Sequence, residues 1–188
     1  MKDSMKNFLV SLFTALTVAV IVFAAIIYFK PEAKEIVPSI QLKGLYFSPH
    51  GGVTNGVVQE LGTAKSTVRV LAYGMTSAPI ANALVEAKKR GADVQVVLDY
   101  KENFNQKSSK AQVLIEGGIP VLYDKMHAIA HNKIMVIDDK DVITGSFNFT
   151  TAAENNNAEN LIILNSPDLA KTYSANWQLH HDHSITGN

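Results

Sequence analysis

The chain has 188 residues with 17 basic and 17 acidic side chains, so it carries no net charge and no global field that would draw in a polyanion. It has no cysteine, which excludes disulfides while remaining compatible with an oxidising compartment. Its polar part, roughly 150 residues, is long enough for one α/β core.

The chain begins with Lys2 and Lys6, then runs from Phe8 to Phe29 without a charge, and Lys30 and Pro31 follow. At about 1.5 Å per residue a helix over this run matches a bilayer core of roughly 30 Å. The run exceeds the usual apolar region of a signal peptide, and Val22-Phe23-Ala24 is a poor cleavage site. An uncleaved anchor is the favoured reading and a removed signal the alternative. Either places the rest of the chain outside the cytoplasm, periplasmic or extracellular, if the N-terminus stays in. Residues 31–41, with PEAKE and Pro38, read as a linker, and residues 42–188 as the functional domain.

Within that domain Thr67 to Tyr73 (TVRVLAY) and Asp93 to Asp99 (DVQVVLD) have the apolar, β-branched character of strands. Between them Ser77 sits at an N-cap position, Pro79 in the first turn and Gly91 past the end of a helix. Ile80, Ala83, Leu84 and Ala87 form its apolar face, and Lys88, Lys89 and Arg90 suit its negative terminus. A helix over Ser108 to Glu116, the Gly117-Gly118 pair and a strand near Val121 repeat the pattern. Lys133 to Ile137 and Asp141 to Thr144 are strands on either side of an Asp138-Asp139-Lys140 turn. Leu161 to Leu164 adds a strand and Pro167 to Leu179 a closing helix. The expected fold is α/β, a mixed sheet flanked by helices on both faces.

The line HNKIMVIDDKDVITGSFNFT holds the chemistry, spaced H-x-K-x4-D-x6-G-S-x-N over His131, Lys133, Asp138, Gly145, Ser146 and Asn148. A phosphodiester resists nucleophiles because its oxygens are anionic, so a catalyst must neutralise that charge and align the attacking atom. Lys133 offers a compact cation, Asn148 amide donors and Ser146 a hydroxyl, while Gly145 allows close backbone approach. His131 offers a ring nitrogen as nucleophile. His131 and Lys133, two apart on an extended chain, project to the same face. A lone histidine or lysine is usually structural or a solvated charge, but six positions at fixed spacing are not a chance match. Asp138, at a strand-to-turn corner, serves either the chemistry or the turn.

This constellation resembles the signature motif of the phospholipase D superfamily, and the chain is most similar to its small bacterial single-motif endonucleases of the Nuc type. The resemblance runs from about Leu45 to Trp177 and takes in SPHGG, VRVLAYGMTSAPIANALVEAKKRGADVQVVLD and GSFNFTTAAENNNAEN. It implies a phosphodiesterase that needs no metal or other cofactor and works in two steps. His131 of one subunit attacks phosphorus to give a phosphohistidine. His131 of a second subunit protonates the leaving oxygen and then activates water. Lys133 and Asn148 bind phosphate oxygens, Ser146 supports them, and Glu159 orients an imidazole. Glu159 in NNNAEN otherwise reads as a surface residue opening a strand.

The motif occurs once, whereas the implied chemistry needs two histidines. His50 in SPHGG and His127 are not followed by a matching lysine, and His180, His181 and His183 read as a polar tail with at most weak metal affinity. A homodimer with a shared active site is the economical solution. The expected substrate is DNA, or RNA, cut without base preference, with Lys101, Lys107, Lys110 and Lys125 either lining a groove or solvated. Membrane phospholipid is the alternative, given the apolar start of the chain and Met126, Ala128, Ile129 and Ala130 beside His131. A non-catalytic nucleic-acid-binding module is the third reading.

Overall fold

The computed structural model describes residues 39–187, with Phe13 and Thr17 as isolated positions before them. The membrane anchor expected at residues 8–29 and most of the linker lie outside the described residues. Among the described residues no helix is long and apolar enough to cross a membrane.

Eight strands form one mixed sheet in the order β1-β7-β6-β5-β2-β3-β4-β8. They are β1 (Gln41–Ser48), β2 (Thr67–Ala72), β3 (Asp93–Asp99), β4 (Val121–Asp124), β5 (Lys133–Ile137), β6 (Asp141–Gly145), β7 (Glu159–Asn165) and β8 (Ile185–Thr186). β2, β3 and β4 run parallel, and every other pairing is antiparallel. The helices are α1 (Val53–Gly62), α2 (Ala78–Lys89), α3 (Tyr100–Asn103), α4 (Ala111–Glu116), α5 (Thr151–Asn155) and α6 (Pro167–His183).

The central strands are apolar almost throughout because both their faces are covered. On β3, Val94, Val96 and Leu98 enter the larger core while Val97 enters the smaller one beneath α6. On β5, Met135 and Ile137 face the larger core, and Ile134 and Val136 face α6. Trp177 anchors α6 to the sheet by donating its indole N–H to the carbonyl of Val70 at 2.9 Å. Helices on both faces of a mixed sheet are what the sequence predicts.

α2 has Pro79 in its first turn and buries Ile80, Ala81, Leu84 and Ala87, but the Ser77 hydroxyl makes no capping bond. Ser77 is instead held through its backbone N–H, which donates to the carbonyl of Phe149 at 3.1 Å. The helix expected from Ser108 starts at Ala111, and α6 continues past Leu179 to His183. β1 is an edge strand whose Leu42, Leu45 and Phe47 stay exposed, so it lacks the buried alternation that marks a strand in sequence.

Candidate active site

The sheet brings the motif to one end. The β5–β6 hairpin pairs Met135 with Ile143, which sets Lys133 level with Gly145. Gly145 in turn pairs with Leu161 on β7, and Lys133 pairs with Ala72 on β2. The start of β5, the end of β6, the start of β7 and the end of β2 therefore share an edge. β3 and β4 also point their carboxyl ends to it, as open α/β sheets do at their binding crevices.

His131 is exposed and its ring packs edge-on against Tyr73, with centroids 4.7 Å apart. Lys133 is 8% exposed, and among the described residues its ammonium is within salt-bridge distance of no carboxylate. The ammonium donates to the carbonyl of His131 at 3.0 Å and lies 5.3 Å from the centre of the Tyr73 ring. Burial pulls its pKa below the ordinary lysine value, against the opposing pull of the Glu159 charge. A buried cation with no carboxylate in direct contact is costly, and an anionic ligand would offset that cost.

The GSFN loop is pinned from beneath. Phe147 and Phe149 are fully buried, and the Phe149 carbonyl accepts the backbone N–H groups of Thr76 and Ser77, both at 3.1 Å. Asn148, between them in sequence, has a buried side-chain Oδ1 without a hydrogen-bond partner. Turning the amide over would present its NH2 donors at the same place. The Ser146 hydroxyl accepts from the Asn160 backbone N–H at 3.0 Å, which fixes its lone pairs toward β7. Gly145 is needed for a different reason from close approach to phosphate. A Cβ there would lie 2.3 Å from the carbonyl oxygen of Asn160, at a φ of 153°.

Glu159 opens β7 at this edge, and its backbone N–H donates to the Ser48 hydroxyl at 3.2 Å. Within one chain its carboxylate accepts from Asn157 at 3.2 Å, and its charge bears on Lys133. Asp138 is not brought to the cluster. It lies at the opposite end of β5, where its carboxylate accepts the backbone N–H groups of Lys65, Ser66 and Thr67 and the Ser66 hydroxyl. Although burial pushes its pKa up, these bonds hold it below the ordinary carboxylate value. Of its two readings, the turn is the one this geometry supports: the carboxylate ties the α1–β2 loop to the β5–β6 turn.

Three residues at this end have no place in the motif. Tyr73 contacts both His131 and Lys133, a meeting set by the β2–β5 pairing of distant segments. Asp99, 2% exposed, accepts the backbone N–H of Ala130 at 2.8 Å. Asp124, 1% exposed, accepts those of Met126 at 3.0 Å and His127 at 3.3 Å. The strap of residues 125–132 that delivers His131 is thus tethered at both ends by buried carboxylates. Its middle displays Met126 and Ile129, 68% and 58% exposed, whereas Ala130 is buried. Lys101 donates to the Ala128 carbonyl at 3.3 Å, and Lys125 lies 5.0 Å from the centre of the Tyr100 ring. The tail histidines are not free either: His180 and His183 turn toward Asp124 and His127.

Residues 57–179 match the family described as cardiolipin synthase, PLD-like domain. A phospholipase D of Rickettsia bellii is 44% identical over 131 residues, covering 70% of this chain and 65% of that protein. The chain thus spans a little under two thirds of the curated relatives it matches most strongly. A mitochondrial cardiolipin hydrolase of Chlamydomonas reinhardtii is 30% identical over 113 residues, covering 60% of this chain and 50% of that protein. Among solved structures, Nuc of Salmonella typhimurium, a phospholipase D family member, superposes with a TM-score of 0.73 at 38% identity, covering 79% of this chain and 97% of that one. With a PLD-like domain matched over residues 57–179 and this fold shared over nearly all of Nuc, the chain belongs to the phospholipase D superfamily.

Proposed function

We propose that the protein is a phosphodiester hydrolase, and that it is an endonuclease cutting DNA, and RNA by the same chemistry, without base preference. The observation that carries this reading is the buried Lys133, with no carboxylate within salt-bridge distance among the described residues, at the same end of the sheet as exposed His131 and Asn148, whose side-chain Oδ1 is buried and unpartnered. A cation, a nucleophile and an amide meeting at one edge are what a phosphodiester requires. This donor set favours an anion over a metal ion, so the reaction needs no divalent cation at the phosphate.

In the proposed reaction a ring nitrogen of His131 attacks phosphorus while the P–O bond to the leaving group breaks. The partner's His131 gives that oxygen its proton. Water then attacks the phosphohistidine, loses a proton to the partner's imidazole, and releases His131 as the N–P bond breaks. Lys133 and Asn148 hold the non-bridging oxygens throughout, and Glu159 orients an imidazole of the assembled site.

The second imidazole comes from a second copy of the chain. The sheet supports a place for it: α6 covers the central strands, while Leu45 and Phe47 of β1 stand 52% and 61% exposed on the same face. An apolar strand face beside the catalytic edge suits an isologous twofold contact. We further propose that residues 8–29 anchor the enzyme to a membrane with this domain outside the cytoplasm.

Phospholipid is the second reading, and the exposed Met126 and Ile129 on the strap favour it. The purified full chain in detergent, given plasmid DNA in one assay and phosphatidylcholine or cardiolipin vesicles in another, separates the two. Nicked and linear plasmid, formed equally with and without added Mg2+, is the expected result. Lipid headgroup release with intact plasmid would overturn the nuclease reading.

A further inference from the structure

Beyond the phosphodiester site, four side chains that its chemistry does not use converge at the far end of the strap. Asp124 closes β4, His127 follows on the strap, and His180 and His183 occupy the last turn of α6. The i, i+3 spacing of the two α6 histidines puts them on one face of the helix. One ligand atom from each of the four residues lies within 4.8 Å of all the others.

Three imidazole nitrogens point at a single carboxylate oxygen. His180 Nδ1 lies 2.7 Å, His127 Nδ1 2.8 Å and His183 Nε2 3.1 Å from Asp124 Oδ2. A carboxylate oxygen has two lone pairs, too few for three donors. His183 Nε2 is accordingly buried and without a well-formed hydrogen bond. The other oxygen, Oδ1, is already taken by the backbone N–H groups of Met126 and His127, which fix the carboxylate and leave Oδ2 facing the imidazoles. That is the outer-shell support a metal ligand usually has.

We propose that Asp124, His127, His180 and His183 form a structural zinc site that clips the His131 strap to the end of α6. Three imidazoles and one carboxylate are a donor set that Zn2+ accepts in tetrahedral geometry. With metal–ligand bonds of about 2.0 Å, tetrahedral ligands stand about 3.3 Å apart, so Asp124 Oδ2 needs to draw back from each nitrogen by a few tenths of an ångström while the ligand atoms, all within 4.8 Å of one another, settle around the ion. The four protein ligands close the coordination sphere, so the ion holds the strap and takes no part at the phosphate. His181 lies between the ligands in sequence but packs against Trp177, with centroids 4.9 Å apart, and is not a ligand.

The test uses untagged full chain purified in detergent, freed of metal and then given Zn2+ alone. Calorimetry and elemental analysis after dialysis are expected to show one zinc per chain, with Tm raised by roughly 5–10 °C over the metal-free protein. Co2+ in its place is expected to give the intense visible absorption of a tetrahedral site. His180→Ala/His183→Ala is expected to lose the ion and the Tm response, and His181→Ala to keep both. Should the double variant not fold, Asp124→Asn and the cobalt spectrum of the wild-type chain carry the test. Absence of zinc uptake, uptake that survives the double variant, or an octahedral cobalt spectrum would each overturn the proposal. None of these readouts depends on catalysis, so the site stands or falls apart from the nuclease reading.

Discussion

The Lys133 ammonium donates to the main-chain carbonyl of His131 at 3.0 Å, so the cation and the segment carrying the proposed nucleophile are fixed to each other before any ligand arrives. Substrate binding then costs little reorganisation in this pair, which is how pre-organised charge lowers a barrier. Variants of the cluster should therefore fold normally and fail in catalysis.

His131→Ala should abolish phosphodiester cleavage, and Asn148→Ala should reduce kcat by about 10²- to 10³-fold, the usual loss for one transition-state donor. Circular dichroism and Tm should stay near wild type, because His131 is exposed and Asn148 has an unpartnered side-chain oxygen. Acid-labile phosphate trapped on the wild-type chain and absent from His131→Ala would identify the intermediate. A variant lacking His131 that still cuts would exclude it.

The pH profile should carry the mark of Lys133. Burial lowers its pKa, so the charged form is lost at a pH below the ordinary lysine range of about 10.4. Activity is expected to fall on the alkaline side earlier than a solvated lysine predicts. Lys133→Arg, where it retains measurable activity, should move that limb upward because guanidinium stays charged. An alkaline limb that does not move would remove Lys133 as its cause.

Asp138 should behave as a structural residue. Asp138→Ala should cost about 1 kcal/mol by removing the acceptor that caps the N–H groups of Lys65, Ser66 and Thr67, with kcat essentially unchanged. Its folded pKa is depressed, so its contribution is present above the unfolded value of about 3.9 and is lost as pH falls through the folded value. Denaturation curves of wild type and variant should thus converge below about pH 4.

The proposed shared site can be read out by mixing. Phe47→Glu puts a charge on the exposed β1 face and should convert a dimer to monomers in light scattering, with cleavage lost at the same time. Heterodimers of wild type and His131→Ala should be inactive. An active monomer would show that a single chain completes its own site.

The strands that carry the motif were legible because β3 and β5 are buried on both faces and leave continuous apolar runs. The fixed spacing of His131, Lys133, Ser146 and Asn148 was legible for the same reason, since a hairpin of even register keeps those positions at one end. β1 was not, because Leu42, Leu45 and Phe47 sit on an uncovered edge and break the expected alternation. The tail histidines read as surface because their partner, Asp124, is remote in sequence and meets them only once α6 folds back along the sheet. Tyr73 is likewise not legible in the sequence, since its contact with His131 follows from strand pairing, which no local pattern specifies.

The strap between Asp124 and Asp99 also divides labour along a few residues of backbone. Its anchored ends set where the reacting nitrogen stands, while Met126 and Ile129 at its crest meet the surroundings. On the proposed function, exchanging Met126 and Ile129 for polar residues is expected to alter which substrate the strap meets while the position of His131, held by the buried Asp99 and Asp124, stays the same.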